Sequence, residues 1–480
     1  MNLRPYGARL VSILSQPNRY LVTERIFLRL LGLVYLAAFG SLWSQIEGLL
    51  GSHGILPVVR ALSVMRTDVG SRAFLYAPTL FWFDSSDTAL TATCMIGCAF
   101  SLVLIAGRLL RVSAAVCWIL YLSLVSVGEP FTNFQWDALL LESGFLALFA
   151  GAPWLVWAYR FLLFRLMFES GLVKLLSGDP NWRNLHALRY HFLTQPLPTP
   201  LAYYAYRSPA WLLDSLTAFT LFIELVVPWL LFAPRRFRQV AVALLITLQI
   251  CILLTGNYAF FNLLAVALCF WGLDDRTFAP LAPLLRVPSH TSTTWLSRSA
   301  NVALALLIAI GAVQLLRMPS PYSLRWTRPV LAYIAPFEIV NTYGLFAVMT
   351  TTRPEIIIEG SNDQVDWREY NFRYKPGELH RDLPLVAPHQ PRLDWQMWFA
   401  ALGTPGENGW INGLMYRLLL GDRTVIGLMQ PPPFDKPPHY MRAQLYDYKF
   451  TTPAERARTG AIWTRELRGT WYGPVSITGR

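Results

Sequence analysis

The residues best able to do chemistry lie inside apolar sequence. "FQWDALLLESGFLALFAG" carries Asp137 and Glu142, and the next run, "YRFLLFRLMFESGLVKLL", carries Arg160, Arg165, Glu169 and Lys174. Ionisable groups are costly in such surroundings and as a rule face a bundle interior, a cavity or a partner. Asp137 and Glu142 stand five residues apart, about 140° around a helix, so they share a face poorly. Arg165 and Glu169 are i,i+4 neighbours able to pair along one helix, and Glu142 can reach Lys174 or Arg165 across the tight "AGAP" connection. Two readings follow. In one, Asp137, Glu142, Arg165, Glu169 and Lys174 form a buried ion-pair network that fixes helix packing. In the other they line a functional cavity where Lys174, helped by Glu142 or Glu169, acts as a base, since a desolvated lysine gives up its proton more readily. Asp214 and Glu224, on the span after the 177–209 loop, can serve either. No catalytic residue is firm.

The stretch Gly171–Tyr204 supplies a second set. Trp182, His186, Tyr190, His191, Gln195, Pro196 and Pro198 make it rich in aromatics, imidazoles and proline. His186 and His191 are five apart, whereas a helical metal pair needs three or four, and no third ligand is close; no metal is expected. The alternating prolines of "QPLPTP" define a stiff, extended arm. With Trp and Tyr suited to a membrane–water interface, the stretch reads as the rim of a cavity, with Lys174 facing inward beneath it and paired to Glu169 or Glu142.

What must position these residues follows from composition. The 480 residues are 54% hydrophobic and 15% charged, against about a quarter charged in soluble domains, so the chain is a polytopic membrane protein and the bilayer is its first partner. The net charge of +12 is scattered over span ends, which argues against nucleic acid. Arginine far exceeds lysine, the bias of a GC-rich, bacterial genome. The five cysteines, including Cys94 and Cys98 one turn apart, all lie in apolar runs and behave as small hydrophobes. Apolar runs near 27–47, 88–107, 112–128, 134–152, 154–176, 210–232, 239–255, 258–273 and 300–317 give about nine spans. Arg4, Arg9, Arg19, Arg25, Arg108, Arg111, the "RRFR" cluster, Arg276, Arg286 and Arg298 then mark the cytoplasmic side. That places the N-terminus inside and Arg480 outside, as for a bacterial inner-membrane protein.

From Met318 the composition becomes soluble. "RPEIIIEGSNDQVDWREYNFRYKPGEL" reads as strand, turn, strand, with Tyr370, Phe372 and Tyr374 alternating and Lys375 at an exposed strand end. "QLYDYKF" alternates likewise, and "LDWQMWFAAL" spaces Trp395 and Trp398 helically. The fold class is a polytopic α-helical membrane bundle (1–317) with an extracytoplasmic, β-rich domain (318–480) packed on it.

P-loop, G-x-G-x-x-G, H-E-x-x-H and G-x-S-x-G signatures are absent from the sequence, and no cofactor is expected. The segments "FQWDALLLESGFLALF", "ESGLVKLLSGDPNWRNLHALRYHFLTQPLPTPLAYY", "NTYGLFAVMTTTRPEIIIEGSNDQVDWREYNFRYKPGE", "APHQPRLDWQMWFAAL" and "YRLLLGDRTVIGLM" resemble the lipase maturation factor family over nearly the whole chain. The resemblance implies a maturation or chaperone-like role for exported lipases or related hydrolases; animal members of the family reside in the endoplasmic reticulum membrane. Trp367, Trp395 and Trp398 are then candidates for the client surface, because Trp and Arg dominate binding hot spots. "ESGLVKLLSGDPNW" is more faintly similar to the vitamin K-dependent carboxylase superfamily, in which Lys174 would match the base. Nothing in the residues sets an oligomeric state.

Overall fold

The computed structural model describes residues 20–285, 295–320 and 322–477; expectations resting on Arg4, Arg9, Arg19, Arg286 and Arg480 lie outside these residues. The first part is a helical bundle. Its principal members are α1 (Leu21–Trp43), α2 (Asp87–Ile105), α3 (Leu110–Val125), α4 (Gln135–Ala147) and α5 (Leu155–Leu176). After the loop that carries α6 (Ala187–Thr194) come α7 (Ala210–Leu225), α8 (Arg235–Thr255), α9 (Phe261–Cys269) and α10 (Trp295–Arg317). Local chemistry sets several ends. Ser86 caps α2 by accepting from Ala89 N, and Pro234 and Gly256 flank α8.

Among the described residues, five helices are long and apolar enough to cross a membrane: Leu21–Trp43, Asp87–Ile105, Ala210–Phe232, Arg235–Thr255 and Ser297–Arg317. The other four expected runs differ. Leu110–Val125 and Phe261–Gly272 are shorter apolar helices, α4 has only 13 residues, and α5, at 22 residues, carries its charges buried. The reason is position. α4 and α5 are enclosed by neighbours, so their composition answers to protein contacts rather than to lipid. Tyr35 of α1 donates to Leu140 O of α4 at 3.3 Å, and a Cβ at Gly144 would meet the Tyr35 hydroxyl at 1.8 Å.

The C-terminal part is a four-stranded antiparallel sheet of order β2-β1-β3-β4, with β1 Arg353–Ser361, β2 Arg368–Tyr370, β3 Tyr440–Phe450 and β4 Trp463–Val475. Ile358 of β1 stands opposite Tyr370 and Ala443. Strand β1 is buried along its whole length, which its unbroken "EIII" run permits. The expected second strand stops at Tyr370, and Phe372 makes only an isolated bridge to Met429. Helices α11 (Arg392–Ala401) and α12 (Trp410–Leu420) make this part mixed rather than mostly β. In α12, Trp410, Ile411, Leu414, Met415 and Leu418 are buried at helical spacing.

Candidate functional site

The end of the bundle that meets the sheet gathers Asp137, Glu142, Arg165, Glu169 and Lys174, whereas Arg160 donates to Trp271 O at 2.8 Å near the start of α1. Lys174, near the C-terminus of α5, turns inward and lies 2.6 Å from both carboxylate oxygens of Glu224 on α7. Lys174 and Glu224 are 4% and 7% exposed, so the pair is closed to solvent. The expected partners, Glu169 and Glu142, do not hold it. Gly171 explains the difference: a Cβ there would sit 2.9 Å from Glu224 Cβ and 2.8 Å from Leu225 Cγ. The missing side chain lets α7 approach α5 one turn from Lys174 and present Glu224. The Trp182 ring closes the other side, its centroid 5.1 Å from the ammonium. Asp214, one of the two alternatives on α7, pairs with Arg189 at 2.7 and 2.5 Å, tying the loop to the same helix.

Glu142, Glu169 and Asp179 share another task. Glu142 forms an ion pair with Arg165 and accepts from Tyr343 Oη and Asn341 N, each at 2.8 Å. Glu169 accepts from Tyr343 N at 2.8 Å, rather than pairing with Arg165 along the helix, and Asp179 accepts from Met349 N at 2.6 Å. Three carboxylates thus grip backbone amides of one strap, residues 338–349, that leads from α10 to β1. A strap without regular structure has amides that need partners once buried, and ionised acceptors make the stronger bonds.

Asp137 meets the C-terminal part directly. Arg392 at the start of α11 donates to its two oxygens at 2.8 and 3.0 Å and to Phe131 O at 2.7 Å; both side chains are fully buried. Tyr121 Oη adds a 2.5 Å bond to Asp137. Beside them Trp136 Nε1 donates to Gln390 Oε1 at 2.6 Å, and Gln45 Nε2 donates to Gln390 O at 2.8 Å. Asn257, in the short "TGNY" loop, donates to Leu197 O and Pro384 O and accepts from Val386 N.

The proline arm is not an exposed rim. Trp182, Gln195, Pro196 and Pro198 are buried, because the C-terminal part lies over them. Arg353 of β1 donates to Leu193 O, Gln195 O and Pro196 O at 2.5–2.8 Å. Its charge is balanced by Glu355 at 2.8 Å, which Lys375 approaches at 2.9 Å. Lys375 is therefore a buried member of a triad, not an exposed strand end. Trp395 and Trp398 are also corrected: they are 3% and 7% exposed, since the apolar face of α11 packs on the bundle. Trp395 meets Trp136 edge-on, and Trp398 Nε1 donates to Thr194 O. Trp367 alone of the three tryptophans stays half-exposed, with Arg442 stacked 4.0 Å over its ring.

The imidazoles sit at this seam. His191 lies 3.3 Å from Tyr258 Oη, and burial, aided by nearby Lys174, pushes its pKa down to about 4. His389, 3.0 Å from Ser41 Oγ, is likewise lowered to about 4 by burial and by Arg392 and Arg373. His186 and Tyr190 are half-buried on the same loop. Among the described residues no group of three or more His, Cys, Asp or Glu is placed to hold a metal. Chemically, the arrangement locks two parts of one chain together, with the Lys174 ammonium taken up by Glu224. Sequence reasoning missed Asn257, Asn341, Tyr343, Arg353, Gln390 and Arg392. Their one signal was location, as all except Asn257 fall in the segments that carry the family resemblance.

Comparison with known proteins agrees on one family. Residues 22–280 match the lipase maturation factor transmembrane domain, and residues 339–473 match the lipase maturation factor C-terminal domain. The chain is 34% identical to lipase maturation factor 1 of Bos taurus, over 95% of this chain and 89% of that protein. It is 34% identical to lipase maturation factor 2 of Mus musculus, over 95% and 83%, and 34% identical to lipase maturation factor 2 of Homo sapiens, over 95% and 82%. No solved structure matches.

Proposed function

As the chain belongs to the lipase maturation factor family, we propose that it is a membrane-embedded maturation factor for exported lipases or related hydrolases. The observation that carries a non-enzymatic reading is the closed Lys174–Glu224 pair. An ammonium held by both oxygens of a carboxylate, under an indole, cannot approach a substrate proton. The alternative, an enzyme using Lys174 as a base, loses its main support there. In the proposal, residues 1–317 form the membrane unit. Residues 318–480 and the loop 177–209 act as one rigid platform for the client.

The client face is then the surface that the bundle leaves uncovered. It runs from the 362–369 turn, with half-exposed Trp367 and exposed Val365, to the outer strand β4, where Leu467 is exposed. The proposed orientation sets the platform outside the cytoplasm of a bacterial inner membrane, after nine crossings that include the short α4 and α9. Support comes from the far end of the bundle, where Arg25, Arg108, Arg111, Arg235, Arg236 and Arg276 gather, as cytoplasmic loops require.

The test is deletion of the gene, followed by measurement of active exported lipase and total exported lipase protein. The expected result is inactive or missing lipase, restored by the wild-type chain and less well by Trp367→Ala/Leu467→Ser. Unchanged lipase activity in the deletion strain would sink the proposal.

A further inference from the structure

At the bundle end remote from the sheet, three turns converge: the start of α1, the α2–α3 turn and the α4–α5 turn. Between them lies a cleft of about 420 Å³, lined by Leu21, Arg25, Leu109, Leu110, Arg111 and Val112, with Glu24, Gly107, Ala150 and Gly151 completing it. Its walls are mostly apolar, yet two arginines, Arg25 and Arg111, line it. Its one carboxylate, Glu24, is engaged by Gly151 N at 3.0 Å. Arg111 is anchored to Ala150 O at 3.0 Å through Nε. Arg29 lies behind, at Gly107, with its Nε buried and unpartnered, and Arg108 is exposed beside it. Among the described residues none of Arg25, Arg29, Arg108 or Arg111 makes a salt bridge to a side chain. Residues 1–19 contain no Asp or Glu that could supply one.

The lip of the cleft adds a second observation. Leu109 takes a left-handed conformation, φ 45° and ψ 41°, which is unfavourable for a branched side chain. Leu109 is 66% exposed, beside Val112 at 53%. Water gains nothing from this arrangement, whereas hydrocarbon would cover it. Positive charge with an apolar lip, at the mouth of membrane-crossing helices, matches an anionic amphiphile. We propose that the cleft seats one anionic phospholipid, its phosphate between Arg25 and Arg111 and its first methylenes on Leu109, Leu110 and Val112. Guanidinium is suited to the task because its planar fork matches phosphate oxygens.

Native mass spectrometry and thermal unfolding of the full chain, with phosphatidylglycerol or phosphatidylcholine added in detergent, test the proposal. Phosphatidylglycerol is expected to bind one-to-one and raise Tm, and phosphatidylcholine to do neither. Arg25→Gln/Arg111→Gln should weaken phosphatidylglycerol about thirtyfold, at the strength expected for two basic residues near a headgroup. Arg236→Gln/Arg276→Gln, which removes equal charge from the same end outside the cleft, should bind as wild type. Equal loss in both double variants would mean diffuse attraction and overturn the seat. So would wild-type binding by Arg25→Gln/Arg111→Gln, or inorganic phosphate that binds as well as the lipid. Binding that appears only after residues 2–19 are removed would assign the cleft to the chain's own N-terminal segment, and the proposal would fall.

Discussion

The two ends of the bundle pair their charges differently. Where the sheet docks, Asp137, Glu142, Lys174, Glu224, Arg353 and Arg392 are buried and each touches a partner of opposite charge. At the remote end, Arg25 and Arg111 line an open cleft, and Arg235 meets Asp274 while 42% exposed. The contrast shows that burial, not the number of ion pairs, separates charges that hold the fold from charges that face its environment. A buried pair gains little over an apolar one, but breaking it by removing one partner costs about 3–5 kcal/mol; an exposed pair is worth about 0–1 kcal/mol.

The contrast can be broken most severely at Arg353. Arg353→Ala strips donors from three carbonyls and leaves Glu355 facing Lys375 alone, with an expected loss of about 3–5 kcal/mol. Limited proteolysis should release the C-terminal part; a protease-resistant variant would show that the triad does not hold the docking. Lys174→Ala should cost a similar amount, as it leaves the buried Glu224 carboxylate unpaired; Lys375→Ala should cost less, because Glu355 keeps Arg353. The replacement Lys174→Met/Glu224→Leu sharpens the point. It should recover most of the stability and, if the pair is structural, client maturation as well. Stability without maturation would return Lys174 to the list of catalytic groups.

Gly171→Ala comes next. Its new methyl must displace Glu224 Cβ and Leu225 Cγ, at about 1–3 kcal/mol for overpacking, read from the thermal midpoint. An acid effect is expected as well. His191 and His389 are held neutral in the fold, with pKa near 4, whereas the unfolded chain takes up protons near 6.5. Their contribution is present above about pH 6.5 and is lost as pH falls toward 4. His389→Asn should flatten that part of the stability–pH curve, and an unchanged slope would exclude the residue. Arg189→Ala, which opens a partly exposed pair, should change stability by no more than about 1 kcal/mol.

The helices of the bundle were legible where lipid dictates composition: α1, α2, α7, α8 and α10 all follow apolar runs. Legibility failed where protein replaces lipid. α4 and α5 are surrounded, so their charges report partners that are distant in sequence. Arg392 lies 255 residues from Asp137, and local spacing cannot reveal it. Period and burial are also different facts. Helical spacing of Trp395 and Trp398 defined a face of α11 without saying that the bundle covers it. Lys375 misled for the same reason, since a lysine among polar neighbours reads as solvated until its carboxylate is found. For Lys174 the inward turn could be reasoned from cost, but its partner depended on the space left by Gly171, which is a property of two helices.

The strap held by Glu142, Glu169 and Asp179 has a consequence for how the chain is made. The amides these carboxylates bind lie 199, 174 and 170 residues downstream. At a synthesis rate of about 5–20 residues per second, the acceptors exist for roughly ten to forty seconds before their donors emerge. During that interval the growing bundle carries three acidic groups with no strap to bind, and the lid that will enclose Asp137 is still unmade. The membrane half therefore reaches its final packing only after translation of the C-terminal half. A factor that completes other proteins is itself completed from its last-made end.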